Sequence, residues 1–281
     1  MKRFLLWFRI IRPQTLFASL CPVVVGLLVS PTPCVWSVAI ITMVCALALQ
    51  VLSNLINDYY DFRKGSDQAG RAGFKRALAE GDVSPRQMLF AILATLCVAL
   101  ATGAWLVYQG GLPILAIGLT ALLFAWLYTA TDHSLSYLGI ADIFVYLYYG
   151  VLATMGTCYL QGSAFFYGRA FFAGSICGLI SMCVLMINNL RDEATDRGAG
   201  KRTFVVRFGK RAGEWAMLLL ILLTLVFAYC AFGLSWAMLI LLPLLGLWVG
   251  VLRAKGQQYN ICLLATGAGN MLYVLLAGLS I

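Results

Sequence analysis

The sequence is poor in charge: only 11% of its 281 residues are Asp, Glu, Lys or Arg, against about 25% in a soluble domain. Its 62% hydrophobic content also excludes a disordered chain. The nine cysteines form no C-x-x-C pair or other metal-ligand spacing, so we interpret them as small buried hydrophobes. The apolar runs are continuous, as in 218–226, whereas porin strands alternate apolar and polar residues. The composition therefore predicts an all-α polytopic membrane protein.

Hydropathy divides the chain into nine apolar segments, each close to the ~20 residues that a transmembrane helix needs. They are predicted at about 15–30, 35–57, 87–108, 112–129, 138–160, 170–190, 213–232, 234–252 and 259–280. Short breaks rich in Pro or Gly separate most of them. Only two loops are long, at about 58–86 and 191–212. We therefore expect one transmembrane domain over 1–281 that carries these two loops.

Basic residues test this division. Every lysine and arginine except Arg169 falls in the N-terminus, in one of the two long loops, or in the turn after the eighth segment. These regions share one side of the membrane only if the helix count is correct. The positive-inside rule makes that side cytoplasmic and places the C-terminus outside. The net charge of +9 then reports topology and attraction to anionic lipid, and no nucleic-acid partner is expected.

Acidic residues are the informative minority, because eight of the eleven lie in the two long loops. An asparagine near the end of the apolar segment and two aspartates of the following loop lie at helical spacing in both places: Asn54, Asp58 and Asp61, then Asn188, Asp192 and Asp196. If the helices continue beyond the apolar segments, each trio shares one helical face. Like charges one turn apart destabilise a helix, and burial near lipid adds to that cost. A bound cation would remove both penalties.

Oxygen-only ligands of this kind suit a hard cation, Mg²⁺ first, which completes its shell with water and substrate phosphates. Two such clusters predict a metal-bridged diphosphate held between them. Basic residues flank both clusters and are suited to phosphate oxygens: Arg63, Lys64, Arg71, Lys75, Arg76, Arg191, Lys201, Arg202 and Arg207. Each cluster alone is also consistent with a solvated loop whose charges only set topology.

Three motifs carry a family resemblance. Residues 57–67 (NDYYDFRKGSD) and 188–209 (NNLRDEATDRGAGKRTFVVRFG) resemble the two aspartate motifs of the UbiA superfamily of membrane prenyltransferases. The second motif is similar to that of the branch that prenylates 1,4-dihydroxy-2-naphthoate. Tyr128-Thr129 with 137–145 (YLGIADIFV), and 12–16 (RPQTL) at the start of the first helix, also resemble this branch. The likeness spans nearly the whole chain.

The resemblance implies nine transmembrane helices around a central cavity, with both aspartate motifs at its cytoplasmic end. It implies two Mg²⁺ ions that bridge the diphosphate, one held by Asp58, Asp61 and Asp67, and one by Asp192 and Asp196. The asparagines would support the metal-diphosphate complex: Asn54, Asn57, Asn188 and Asn189. Candidates to bind the substrates are Arg63, Lys64, Arg76, Tyr128, Asp142, Arg191 and Lys201.

The implied reaction transfers a polyprenyl group from its diphosphate to 1,4-dihydroxy-2-naphthoate, with loss of CO₂, and gives demethylmenaquinone for menaquinone synthesis. The implied location is the bacterial cytoplasmic membrane, with the site facing the cytoplasm. The expected partners are therefore a polyprenyl diphosphate, the aromatic acceptor and the lipid bilayer, with no obligatory protein partner. Another acceptor, such as 4-hydroxybenzoate or homogentisate, is the nearest alternative. A membrane transporter is a remote one, because its acids should lie near the membrane midplane.

Some residues leave more than one interpretation open. Ala130-Thr131-Asp132 stands where this branch usually has a Gly-Gly-Pro turn, and the only histidine, His133, follows it. The altered turn bears on which acceptor is used. Asp142 interrupts an apolar run, so it either helps position the acceptor or a proton, or marks a helix boundary. Four tyrosines are candidates to line the cavity, although each alone is also explained by facing lipid: Tyr128, Tyr146, Tyr148 and Tyr149.

Overall fold

The computed structural model describes residues 2–65, 76–128 and 139–281 of the chain. Over these residues the protein is helical and has no strand, which confirms the predicted all-α membrane class. Within the described residues, ten helices follow one another: α1 Lys2–Ile11, α2 Pro13–Val29, α3 Trp36–Arg63, α4 Pro85–Leu127, α5 Ala141–Leu160, α6 Gly168–Gly198, α7 Phe204–Phe208, α8 Lys210–Phe232, α9 Trp236–Arg253 and α10 Gln258–Gly278.

Seven of these helices are long and apolar enough to cross a membrane, and an eighth span is formed if α2 is joined to the end of α1 across a 59° bend. The 43-residue helix α4 is interrupted at Gly111, whose φ of 64° and ψ of −148° are not helical. A continuous helix of that length would be about 65 Å long, twice the hydrocarbon thickness. The break falls where the sequence separates two apolar segments. The count of nine spans stays a prediction.

The two motif-bearing helices extend farther than their apolar segments. Helix α3 runs to Arg63 and α6 runs to Gly198. The first residues of both predicted loops are therefore helical, as the spacing of their aspartates requires. The motif side chains consequently project from rigid helix ends. Of the candidate spans, α6 has the largest buried share, and α2, α5, α8 and α10 pack around it.

Glycines allow α5 to approach α6 closely. A Cβ added at Gly150 would lie 2.5 Å from the backbone nitrogen of Gly178 and 2.6 Å from the carbonyl oxygen of Gly174. At this contact α5 widens into a π-helical turn over Leu147–Val151. Such turns re-aim the side chains that follow and are frequent at functional sites. The contact fixes how α5 faces the end of α6 that carries the second aspartate motif.

The prediction for the cysteines is correct for most of them. Six are buried among the helices, and Cys34, Cys97 and Cys230 are exposed. The exposed three lie at the end of a loop or in apolar helices.

Candidate active site

A cavity of about 1470 Å³ lies between α3, α4, α5 and α6. One end is lined by both aspartate motifs and their basic neighbours. The other end is lined by apolar residues such as Leu106, Ile114 and Leu160. Cys45 at the apolar end and Asp61 at the polar end both lie on α3, and their sixteen-residue separation spans about 24 Å of helix. The cavity is therefore long, with charge concentrated at one end.

Asp58 of the first motif is buried and lies between two arginines. Arg12 and Arg76 both donate a hydrogen bond to its Oδ1 oxygen. The Asp58 side chain is 4% exposed, and the two arginines are 18% and 14% exposed. Its negative charge is thus paired with two positive charges of the protein, and its role as a metal ligand stays a prediction. Both arginines line the polar end of the cavity, and Asp58 is buried behind them.

Arg12 is a site residue that the sequence analysis did not select. It joins α1 to α2 and is the only non-glycine residue with a positive φ (57°) in the described chain. Thr15 Oγ1 donates to the Arg12 carbonyl at 2.9 Å. Asn54 Nδ2 in turn donates to Thr15 Oγ1 at 2.9 Å and to the Ile11 carbonyl at 3.1 Å. Backbone strain of this kind persists only where its surroundings hold it. The resemblance at residues 12–16 was the sequence signal that could have identified Arg12 as a site residue.

The remaining residues of the first motif divide between the cavity and the surface. Asp61 is buried and lines the cavity. Asn57 and Lys64 are half-buried and line it too. Arg76 Nη2 also approaches Asn57 Oδ1 at 3.5 Å. Arg63, in contrast, is exposed, lies outside the lining, and stacks over Tyr59 at 6.0 Å. Three predicted residues of this loop lie outside the described residues: Asp67, Arg71 and Lys75.

The second motif also faces the cavity, and each of its aspartates has a basic neighbour. Arg191 donates two hydrogen bonds to Asp192, from Nε to Oδ1 at 2.8 Å and from Nη2 to Oδ2 at 2.7 Å. Lys201 Nζ lies 3.2 Å from Asp196 Oδ1. Asn188 and Asn189 line the same wall. The structure therefore places the second motif on one wall of the cavity, and its metal-binding role stays a prediction.

Not every predicted basic residue joins this wall. Arg202 and Arg207 are exposed and lie outside the lining. Lys201 returns to the cavity because its backbone nitrogen donates to the Asp196 carbonyl at 2.9 Å, which turns the chain at the end of α6.

Gly139 holds the segment before α5 against the second motif. Its φ is +73°, and an added Cβ would lie 2.0 Å from the Arg202 carbonyl oxygen. Only glycine fits a left-handed residue in so close an approach. Asp142 follows in the first turn of α5 and lines the cavity with Tyr128. Its Oδ1 is buried and has no hydrogen-bond partner among the described residues. The altered turn 130–132 and His133 lie outside those residues.

Aromatic rings cover the wall next to Asp142. Phe124 lies 4.0 Å from Phe144 and 5.3 Å from Tyr148 between ring centroids, and all three line the cavity. Tyr128 and Tyr149 line it as well, so the lipid-facing interpretation was wrong for three of the four tyrosines. The Tyr146 hydroxyl instead lies 2.8 Å from Ser175 Oγ, and Tyr146 packs on the core.

The polar end has the donor chemistry that Mg²⁺ prefers. Carboxylate and amide oxygens come from both motifs. In the part of the chain that the structure describes, no three His, Cys, Asp or Glu side chains cluster closely enough to hold a metal by themselves. Mg²⁺ commonly uses only one or two carboxylates and takes its other ligands from water and substrate phosphates. The residues therefore fit a cation that binds together with a phosphate-bearing substrate.

The helices and this cavity define a polytopic membrane protein with a binding site between its helices, in which acidic and basic side chains meet at one end. Residues 19–268 match the UbiA prenyltransferase family. The chain belongs to that family.

Two curated relatives come from Escherichia coli (strain K12) and Haemophilus influenzae, and both are called 1,4-dihydroxy-2-naphthoate octaprenyltransferase. The first is 34% identical over 217 residues, which cover 73% of this chain and 68% of the relative. The second is 31% identical over 219 residues, which cover 74% and 71%. A solved UbiA homolog from Archaeoglobus fulgidus, bound to DMAPP and Mg²⁺, has a TM-score of 0.65 at 17% identity and covers 96% of this chain and 97% of its own. That likeness confirms the fold.

Proposed function

We propose that this protein transfers a polyprenyl group from a polyprenyl diphosphate to 1,4-dihydroxy-2-naphthoate, with loss of CO₂, and so makes demethylmenaquinone for menaquinone synthesis. The curated relatives that carry this acceptor in their names support the assignment. The proposed setting is the bacterial cytoplasmic membrane, with the polar end of the cavity toward the cytoplasm. The distribution of lysine and arginine supports that orientation.

The observation that carries the proposal is that one cavity has a charged end and an apolar end. A polyprenyl diphosphate has a strongly anionic head and a long apolar tail. The cavity offers Lys64, Arg76 and Lys201 at one end, and an apolar wall that extends to Cys45, about 24 Å from Asp61 along α3. Neither a transport path nor a simple ion site requires this pairing of a phosphate-binding end with a deep apolar pocket.

Mg²⁺ fits the polar end, and we propose that two ions bind there together with the diphosphate, one held by Asp58 and Asp61 and the other by Asp192 and Asp196. Bound there, the metal would neutralise charge that develops on the leaving diphosphate. Asp58 in addition accepts hydrogen bonds from Arg12 and Arg76, which line the cavity. Asp67, which the resemblance adds to the first metal, stays a prediction.

The chain's own residues account for the other requirements of the transfer. Arginine and lysine side chains bind phosphate oxygens and stabilise the departing charge. Phe124, Phe144 and Tyr148 form an aromatic part of the cavity wall, whose π faces would stabilise an allylic cation. The apolar lining excludes water, which would otherwise capture that cation. An electron-rich ring carbon of the acceptor then forms the new C–C bond.

Asp142 is the residue we assign to the acceptor. Its buried Oδ1 lies in the cavity wall without a partner among the described residues, and a ring hydroxyl would supply the missing donor. We expect Asp142→Asn to raise the KM for the acceptor about tenfold, the cost of about 1.4 kcal/mol for a weakened hydrogen bond. The KM for the prenyl diphosphate should stay unchanged. Equal rises in both constants would contradict this assignment.

The deciding experiment is a transfer assay with the purified protein in detergent. It combines Mg²⁺, a long-chain prenyl diphosphate and one acceptor at a time, with a parallel reaction in EDTA. We expect product and CO₂ from 1,4-dihydroxy-2-naphthoate, and none in EDTA. Product from 4-hydroxybenzoate or homogentisate alone would retain prenyl transfer and replace the acceptor. No product from any acceptor, with folded protein, would contradict the proposed function.

A further inference from the structure

Arg191 makes a contact with its neighbour that a helix does not ordinarily allow. It and Asp192 are consecutive residues of α6, and side chains at i and i+1 of a helix do not face each other. Yet the guanidinium meets both carboxylate oxygens of Asp192, at 2.8 and 2.7 Å. The Arg191 side chain is only 5% exposed. Something outside the motif must hold the arginine in this orientation.

Asn260, on the last helix, supplies that restraint. Its Oδ1 accepts a hydrogen bond at 2.8 Å from Arg191 Nη1, the terminal nitrogen that does not contact Asp192. Asn260 is 69 residues away from Arg191 in sequence and does not line the cavity. It therefore contacts the arginine from outside the cavity lining.

The start of α10 is itself well anchored. Gln258 Oε1 accepts from the Lys255 backbone nitrogen at 2.9 Å, and Tyr259 is buried. Farther along the helix, the Tyr273 hydroxyl donates to the Ala173 carbonyl of α6 at 2.9 Å. Helix α10 is thus fixed to α6 at two separated points, and Asn260 is one of them. A rigid support of this kind can fix a planar, five-donor guanidinium.

We propose that Asn260 is a positioning residue for the second aspartate motif. By holding Arg191 in the plane of the Asp192 carboxylate, it fixes the direction in which Asp192 presents its oxygens to the cavity. This inference deepens the proposed function and rests on the metal-diphosphate site assigned there. Residues that orient the ligands of a metal commonly change its affinity by about 10- to 100-fold when they are removed.

The test compares Asn260→Ala with Asn260→Asp in the full-length protein, because Asp keeps the acceptor oxygen. We expect Ala to weaken binding of Mg²⁺ with inorganic diphosphate about tenfold, as measured by calorimetry, and Asp to restore most of it. The KM for the prenyl diphosphate should rise in parallel with the binding constant, and the KM for the acceptor should not. Thr266→Val is the matched control, since Thr266 is buried in the same helix and its hydroxyl donates to the Cys262 carbonyl within that helix.

A double variant separates positioning from a general loss of stability. Lysine at position 191 cannot contact Asp192 and Asn260 as a fork, so Asn260→Ala should add nothing to Arg191→Lys. Additive losses would overturn the proposal, as would wild-type binding in Asn260→Ala. If that variant does not fold, Asn260→Ser, which is too short to reach Arg191, replaces it.

Failure of the proposed function would look different. A wild-type protein that binds Mg²⁺ and diphosphate but transfers no prenyl group contradicts the function alone. A wild-type protein that does not bind them contradicts both the metal site and this inference.

Discussion

At the scale of single residues, the two aspartate motifs share one arrangement of side chains. Each opens with a carboxylate that is held by an arginine, and that arginine's position is fixed by an asparagine. Asp58 is held by Arg12, whose turn is braced by Asn54, and Asp192 is held by Arg191, which Asn260 supports. Asn54 was expected to support the metal-diphosphate complex, and the structure gives it this second task.

Asp58 should therefore matter for stability as well as for activity. Asp58→Asn removes the charge between two largely buried arginines, and breaking a buried pair costs about 3–5 kcal/mol. We expect a marked fall in the thermal midpoint in detergent, together with loss of transfer. Asp82→Asn is the control, because Asp82 pairs with Arg9 where both side chains are 40–46% exposed, and such pairs contribute less than about 1 kcal/mol. Equal midpoints for the two variants would contradict the role of Asp58.

Arg63 and Arg76 should separate in function although the sequence placed both near the diphosphate. Arg76 lines the cavity and Arg63 lies outside it. Arg76→Ala should raise the KM for the prenyl diphosphate at least about tenfold, since a hydrogen bond to a charged group contributes about 1.5–3 kcal/mol. Arg63→Ala should leave that constant within about twofold. A similar rise in both variants would show that Arg63 reaches the substrate.

At the scale of helices, the contact of α5 with α6 sets the shape of the cavity. Gly150→Ala would push a methyl group against backbone atoms of Gly174 and Gly178. Overpacking of this kind costs about 1–3 kcal/mol, and we expect a lower thermal midpoint with reduced transfer. Gly246→Ala in α9 meets no atom within 4 Å, so it should be neutral or stabilising. A destabilised Gly246→Ala with an unaffected Gly150→Ala would contradict this view of the packing.

The helices themselves were largely predictable, because hydrophobic length and the spacing of Pro and Gly encode them. The break at Gly111 falls in the predicted gap between segments three and four. Contacts across the fold were less accessible. Arg12 meets Asp58 across 46 residues and Asn260 meets Arg191 across 69, and no local pattern encodes either pair. The exposure of Arg63 likewise depends on helical phase near a helix end, which spacing alone did not resolve.

At the scale of the whole molecule, the parity of spans decides where the C-terminus lies. Nine spans with a cytoplasmic N-terminus place Ile281 outside, whereas eight would return it to the cytoplasm. We expect alkaline phosphatase fused at the C-terminus to be active, since that enzyme matures only outside the cytoplasm. The same fusion in the turn between α9 and α10, beside Lys255, should be inactive. Inactivity at both sites would contradict the nine-span topology.

The ion pairs of the motifs also have a consequence for how the chain is made. Asp192 and Asp196 find their basic partners one and five residues away, and Asp58 finds Arg76 within the next eighteen. Each carboxylate can therefore be neutralised soon after it leaves the ribosome, before later helices exist, which lowers the cost of placing it at the bilayer edge. Loss of a counterion should thus mainly reduce the amount of protein that inserts into the membrane. The transfer rate of the inserted molecules should fall less.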